Sequence, residues 1–287
     1  RSFTFCMGLQ RTATLTQELH PDSIIVMYCD DTYCVHPTDP CEAYAALTTF
    51  RRLSRERNCL ESVPAKSFFY SPNPHADLSF LDANTEGHPD HPKGGRLTCF
   101  KAVGSYIGSP TAVAKAVAKA MADQVAAASI LEYLKDTERS KSADQCRLLT
   151  LRHCANSTPS FLLRTTPPDQ SLTGARIHDE AIAKCLIAQL PCPLASPDDY
   201  DRAVAQARLP PQLGGFGLTS ALDLRLPCYA GSLVSSLATA SRLIPTIHDI
   251  LQANAATPSL ASLRALDSAR MTLFTMRDDV QDRWDEW

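Results

Sequence analysis

Two adjacent acids, Asp30 and Asp31, stand between two short β-prone runs, Ile24 to Cys29 (IIVMYC) and Thr32 to Val35 (TYCV). An unbroken apolar run of strand length, followed two residues later by a run rich in β-branched and aromatic residues, reads as a hairpin with the acids at its turn. Such a turn accepts Asp, which tolerates left-handed backbone, but the favoured companion is Gly, which relieves both strain and charge. Here the companion is a second carboxylate, and the two repel. The ordinary reading is a solvated turn. A divalent cation gives a better physical reason, because hard oxygen ligands bind Mg²⁺, and phosphoryl transfer uses such ions to orient an attacking hydroxyl and neutralise the phosphate.

The surroundings of the pair narrow the choice. Residues 7 to 19 (MGLQRTATLTQEL) carry Leu9, Ala13 and Leu19 at near-helical spacing, and His20-Pro21-Asp22 stops that helix. After the hairpin, Asp39 as cap, Pro40 at the first helical position and Glu42 three residues after the cap predict a helix over about 40–57. Its apolar stripe is Ala43, Leu47, Phe50 and Leu53, with Arg51, Arg52, Arg55 and Arg57 on the remainder. Lys66 to Ser71 (KSFFYS) reads as a strand, residues 72 to 96 as a loop, and Phe100 to Ser109 (FKAVGSYIGS) as an extended element. In the last of these, Gly104 and Gly108 mark a bend or a place without room for a side chain. From Thr111 on the pattern is helical, over 111–137, 143–155, 175–190, 219–242, 245–255 and 259–285. The breaks fall at RTTPP (164–168) and LPPQLGGFGL (209–218). No internal repeat is present.

Composition bounds what such a chain does. With 44% hydrophobic and 21% charged residues it can bury a core, and its 287 residues imply two parts. No apolar stretch is long enough to span a membrane, because Lys115, Lys119 and Asp123 interrupt the most alanine-rich segment. The chain begins at Arg1 without a secretory signal, so the reading places its true N-terminus upstream. Eleven cysteines are scattered from Cys6 to Cys228 with no C-x-x-C pair, which disfavours zinc and disulfide frameworks and fits reduced thiols. The net charge of −3 argues against a nucleic-acid partner. Its distribution softens the objection, since residues 101 to 164 hold 9 Lys/Arg against 5 Asp/Glu.

The order of these elements carries a resemblance: an apolar strand, an aromatic two positions before paired acids, a β-branched strand, a capped helix, a Lys-bearing strand and a Gly-bearing strand. It resembles the second half of the palm of reverse transcriptases, especially those of non-LTR retrotransposons and related protist and algal elements. Tyr28-Cys29-Asp30-Asp31 matches the Y-x-D-D motif. The resemblance implies that Asp30 binds metal (Mg²⁺, or Mn²⁺ in its place) with Asp31 beside it, and that Lys66 assists pyrophosphate departure. It also implies that Val103-Gly104 belongs to a hairpin gripping the primer end, and that Tyr28 and Gly104 lie against nucleic acid. FLLRTTPP and RLPPQLGGFGLTSA are similar to stretches found after the palm in these elements. The implied fold is α+β: a partial antiparallel palm over 1–110, an all-helical thumb-like region over 111–205 and a C-terminal helical region over 206–287. The implied partners are an RNA template, a DNA primer and a dNTP, in a nuclear or cytoplasmic setting inside the cell. In that family the fingers, the first catalytic aspartate and the Gln-Gly motif lie upstream of Y-x-D-D, so this stretch is expected to be inactive alone.

Each functional residue has a plainer reading beside it. Lys66 is also what a solvated charge at a strand start looks like, and the arginines of 40–57 are what any exposed helix face carries. Lys115 and Lys119, four apart on the first helix after the palm, are placed for phosphate contact or merely solvated. His88, His91 and Cys99 invite a metal reading but sit in or beside an ordinary polar loop. Gly214, Gly215 and Gly217 lack a preceding strand and a Gly-Lys-Ser/Thr, and so mark a turn into a helix capped by Thr219 or Ser220 rather than a phosphate loop. The competing function is a non-catalytic relic, or a helical module that binds nucleic acid or protein.

Overall fold

Helix α1 (Ser2–Leu19) stops at His20-Pro21-Asp22, and one side chain then fixes the exit of the chain into strand β1 (Ile24–Tyr28). Gln17 Oε1 accepts the Ile25 amide at 3.2 Å, while Nε2 donates to the carbonyls of His20 and Pro21 at 3.3 Å and to that of Ser23. The structure is a computed structural model and describes residues 2–28, 31–61, 67–73, 75–76, 78–79, 96–128, 141–188 and 196–243. The chain divides into two units between Ser109 and Pro110.

In the first unit β1 pairs antiparallel with β2 (Asp31–Val35), in a register running from Ile24↔Val35 to Tyr28↔Asp31. Helix α2 (Pro40–Asn58) starts as its signal demands: Asp39 Oδ1 accepts the Cys41 amide at 2.8 Å and Pro40 fills the first turn. Glu42 closes no capping box and instead approaches His20 Nδ1 at 3.6 Å, while His20 Nε2 lies 2.9 Å from Thr49 Oγ1. α2 buries Ala46, Phe50 and Leu53 and packs against α1. A polar contact crosses that seam, with Thr12 Oγ1 donating to Asn58 Oδ1 at 2.8 Å and Asn58 Nδ2 to the Gly8 carbonyl at 2.9 Å.

Strand β3 is short (Phe69–Tyr70) and runs parallel to β4 (Arg96–Leu97), a pairing the sequence does not announce, since residues 72 to 96 read as loop throughout. Alternation explains how β3 is held. Phe68 and Tyr70 face Phe100 at ring distances of 5.1 and 5.2 Å, and Phe69 turns the other way to Tyr44 of α2 at 6.0 Å. The FKAVGSYIGS segment forms the hairpin β5 (Cys99–Ala102) and β6 (Ser105–Gly108). Gly108 is required there, since a Cβ would run into the Thr98 carbonyl oxygen. Among the described residues the unit holds three two-stranded ribbons, two antiparallel and one parallel, with α1 and α2 packed on the first.

The second unit is helical: α3 (Pro110–Ala128), α4 (Lys141–Thr150) running into a π turn (Leu151–Ala155), α5 (Ser160–Thr165), α6 (Pro168–Ile187), α7 (Pro197–Arg208), a 3₁₀ turn (Pro211–Leu213) and α8 (Ala221–Leu243). α3 buries Val113, Val117, Met121 and Val125 and packs on α6, where a Cβ on Gly174 would come 2.7 Å from Met121 Sδ. α6 starts at Pro168, well before the expected 175, because proline suits a first turn as well as it ends a helix. α7 was not anticipated, although Ser196, which accepts the Asp199 amide at 3.2 Å, and Pro197 are an ordinary start signal. The boundary expected at 205/206 falls inside α7, so it divides no body here. The helices expected over 245–255 and 259–285 lie outside the described residues. Among those described, no helix is long and apolar enough to cross a membrane. Helix and small sheets together make the chain α+β in the broad sense.

Asp179 ties three of these helices. From α6 it accepts the Ala221 amide at 2.7 Å, the Leu222 amide at 3.3 Å and the Ser220 hydroxyl at 2.6 Å, so it caps α8 from outside; Arg208 at the end of α7 lies 3.4 Å away. Burial alone would raise its pKa. The His178 imidazole, Nδ1 3.7 Å away, the Ser220 hydroxyl and the two amides outweigh burial and hold the carboxyl below its usual range. A carboxyl whose folded pKa is depressed stabilises the fold above its unfolded value, about 3.9, and loses that contribution as pH falls through the folded value. We expect Asp179→Asn to cost about 2 kcal/mol in denaturant unfolding at pH 7, and the difference from the parent chain to shrink on acidification below about pH 4.

Candidate functional site

The β1–β2 ribbon has two unlike faces, because residues opposite one another in an antiparallel pair project to the same side. Ile25, Met27, Thr32 and Cys34 occupy the side nearer the helices. There burial pushes the Cys34 thiol up to about 12, despite the opposing pull of the Arg51 guanidinium on α2. That thiol is inert. Ile24, Val26, Tyr28, Asp31, Tyr33 and Val35 occupy the other side, where Tyr28 is 55% exposed and Ile24, Val26 and Val35 are each 47% exposed.

Asp31 is not the turn residue its sequence position suggests but the first residue of β2, paired across the ribbon with Tyr28. The ladder ends at Tyr28↔Asp31, so Cys29 and Asp30 stand between the two strands in the sequence. Asp30 itself lies outside the described residues. The Asp31 side chain is exposed, and the hydroxyl of Tyr33, two residues on and on the same face, donates to its Oδ2 at 3.3 Å. The Tyr33 phenol is raised by burial first, then by the charge and hydrogen bond of Asp31. Sequence reasoning missed Tyr33, although period-two alternation from Asp31 is enough to find it.

Lys66 also lies outside the described residues, as do His88 and His91. The strand that follows Lys66 is anchored by Arg51, which is 3% exposed and donates to Ser67 Oγ at 2.5 Å. Arg51 therefore leaves the set of arginines expected on the outer face of α2: it points inward, between α2 and Ser67. Arg52, by contrast, is exposed and pairs with Glu56 at 3.2 Å.

Gly104 sits where the sequence pattern places it, at the turn of β5–β6, with φ +85°; Val103 before it has φ +51° and is 47% exposed. Positive φ at both central residues is the demand of a tight hairpin turn, and a β-branched residue meets it at a cost. Lys115 and Lys119 lie on the exposed face of α3, opposite its buried stripe, and Lys119 pairs with Asp123 at 2.6 Å. Gly214 and Gly217, at φ +79° and +64°, and Gly215, where a Cβ would run into the Leu209 carbonyl oxygen, build a turn into α8. Ser220 caps that helix by accepting the Asp223 amide at 3.2 Å.

As for a cation, Asp31 offers a hard, exposed oxygen donor, which suits Mg²⁺, but among the described residues no three His, Cys, Asp or Glu side chains gather closely enough to hold a metal ion. The site contributes part of a donor set. No known protein family, curated protein or solved structure matches the chain.

The strain at Val103 is testable without any substrate. Val103→Asn places Asn-Gly in the turn, the pair that such hairpins favour, and we expect a gain of about 1 kcal/mol in unfolding free energy. An unchanged or lowered thermal midpoint would contradict that account.

Proposed function

We propose that this chain is the rear part of the palm, followed by thumb helices, of an RNA-directed DNA polymerase of the non-LTR retrotransposon type. In this reading Asp30 and Asp31 contribute to a Mg²⁺ or Mn²⁺ site, with an RNA template, a DNA primer and a dNTP as the other participants. The observation that carries it is the closure of the ribbon at Tyr28↔Asp31, which leaves two residues, Cys29 and Asp30, between the strands. Support also comes from the sequence of elements after it: a capped helix, a short strand led by KSF, and a hairpin turning at Val103-Gly104. When bound, the cation would supply charge neutralisation and orientation of a primer 3′-hydroxyl. The chain's own share is narrower. Asp31 presents an anionic oxygen on the open face of the ribbon, and Tyr28 beside it presents an aromatic ring on the same face. The family's first catalytic aspartate has no counterpart among the residues described, so the activity belongs to a polypeptide that supplies it.

The test joins this sequence to an upstream segment containing that aspartate and the Gln-Gly motif, and measures divalent-cation-dependent extension of a primed RNA template. Asp30→Asn and Asp31→Asn should each lower extension on the order of 100-fold or more. Wild-type extension by Asp30→Asn would remove the assignment. A separate measurement addresses α3: Lys115→Glu with Lys119→Glu should weaken binding of a DNA–RNA hybrid at low salt and flatten its salt dependence. Lys115 is expected to contribute more of that change, because Lys119 is already paired with Asp123.

One observation favours a second reading, a helical binding module without catalysis. The second unit has its own core, in which Leu151, Ala155, Ile182, Leu186, Ala207 and Leu218 meet, together with its own internal cap at Asp179. Hybrid binding that survives in both Asp→Asn variants, with no extension by any of the joined chains, is the outcome that selects it.

A further inference from the structure

We propose that His178 is a proton-operated latch in the helical unit: with both ring nitrogens protonated it joins the end of the π turn to the carboxylate that caps α8, and with one proton it holds the π turn alone. The inference goes beyond the polymerase reading and does not depend on it.

The His178 side chain, on α6, is fully buried. Its Nε2 lies 3.2 Å from the carbonyl oxygen of Ala155, the last residue of the π turn. A carbonyl oxygen only accepts, so Nε2 carries a proton. That oxygen is fixed in place, since the amide and the hydroxyl of Thr158 donate to it at 3.3 and 2.8 Å. The tautomer is thereby set, and a neutral ring has only a lone pair left at Nδ1. Nδ1 is buried, has no hydrogen bond among the described residues and stands 3.7 Å from Asp179 Oδ1. A lone pair buried against a carboxylate is unfavourable, because the low local dielectric strengthens the repulsion and water does not relieve it. A second proton reverses the sign. Nδ1–H then aims a cationic donor at Asp179, and a shift of about half an ångström brings the pair within hydrogen-bond length. Asp179 is also the acceptor of the Ala221 and Leu222 amides, so a proton on His178 is felt at the start of α8. Charged groups on the elements packed against α6 leave this exchange to the pair. Arg208 of α7 approaches the other carboxylate oxygen of Asp179 at 3.4 Å. On α8, Arg225 donates to the Leu222 and Pro168 carbonyls and Asp223 is exposed. On the π turn, Arg152 lies beside Gly217 and His153 is exposed. Arg164 of α5 is exposed, as are Lys115, Lys119 and Asp123 of α3, while Arg147 is buried on α4, ahead of the π turn.

The experiment uses the 287-residue chain itself, with its histidine ring nitrogens isotopically labelled for magnetic resonance. Ring nitrogen signals are followed from about pH 5 to about pH 9, the range in which imidazoles exchange their second proton. Hydrogen exchange of the Ala221 and Leu222 amides is read over the same range and corrected for its intrinsic dependence on pH. His178→Gln is the comparison, because it keeps a donor toward the Ala155 carbonyl and does not titrate. We expect His178 to carry two protons at the acid end and a proton on Nε2 alone at the alkaline end. Protection of Ala221 and Leu222 should fall about tenfold between the two in the parent and stay level in His178→Gln. Should that variant fail to fold, the ring signal is assigned in the parent by sequential connectivity, and coincidence of its titration with the loss of amide protection is the supporting result. A purely structural histidine keeps one proton throughout. That outcome overturns the latch, as does a lone proton residing on Nδ1, or amide protection that does not follow the ring or falls equally in His178→Gln.

Discussion

The register of one small ribbon governs what the first unit can offer. Side chains alternate along a strand, so a slip by one residue between β1 and β2 would send Asp31 and Tyr28 toward the helices and bring Ile25 and Met27 out. Two contacts oppose the slip: Gln17 pins the start of β1 through the Ile25 amide, and Cys34 packs on the side of α2 that carries buried Arg51. The same Arg51 reaches Ser67, so the helix that backs the ribbon also fixes where the next strand begins. A charged side chain is well suited to that task, because it must find its partners when buried, whereas an apolar one tolerates several packings.

The second unit solves a different problem. The unsatisfied amides at the start of α8 need a partner. Ser220 in the preceding turn caps the Asp223 amide, and Asp179 takes the Ala221 and Leu222 amides from a neighbouring helix. Part of the cap is therefore a tertiary contact that needs α6 in place, and Arg208 draws the end of α7 to the same carboxylate. Apolar packing nearby is close enough that Gly174 has no room for a methyl group beside Met121. Helix position is thus set by a polar knot on one side and tight van der Waals contact on the other.

How much of this was legible in the sequence depends on which forces are local. The start of α2 was readable because Asp39 and Pro40 act within one turn. The hairpin was readable because its two runs are adjacent. α3 was readable because its stripe Val113, Val117, Met121 and Val125 repeats on one face. What escaped depends on contacts far apart in sequence: the parallel β3–β4 pair, the inward turn of Arg51 toward Ser67, and the cap from Asp179 to Ala221. Pro168 misled for another reason, since proline ends one helix and begins another with the same ring geometry. At the candidate site, Tyr28, Asp31, Gly104, Lys115 and Lys119 were named from sequence, and the structure adds Tyr33, whose connection to Asp31 is purely geometric.

Turn chemistry separates the two units in a way that bears on function. In the second unit the demanding positions carry the residue that meets the demand: Gly214 and Gly217 at positive φ, and Gly215 where a side chain has no room. In the first unit the β5–β6 hairpin departs from the favoured choice, turning through Val103 at positive φ where Asn would be relaxed. Backbone strain of that kind tends to cluster at functional sites. The exposed apolar side of the ribbon is consistent with that, because Ile24, Val26 and Val35 extend outward from the same face that presents Asp31. A strained turn and an open apolar face belong to the unit that carries the candidate site, while the unit built of helices uses its polar groups to hold itself together.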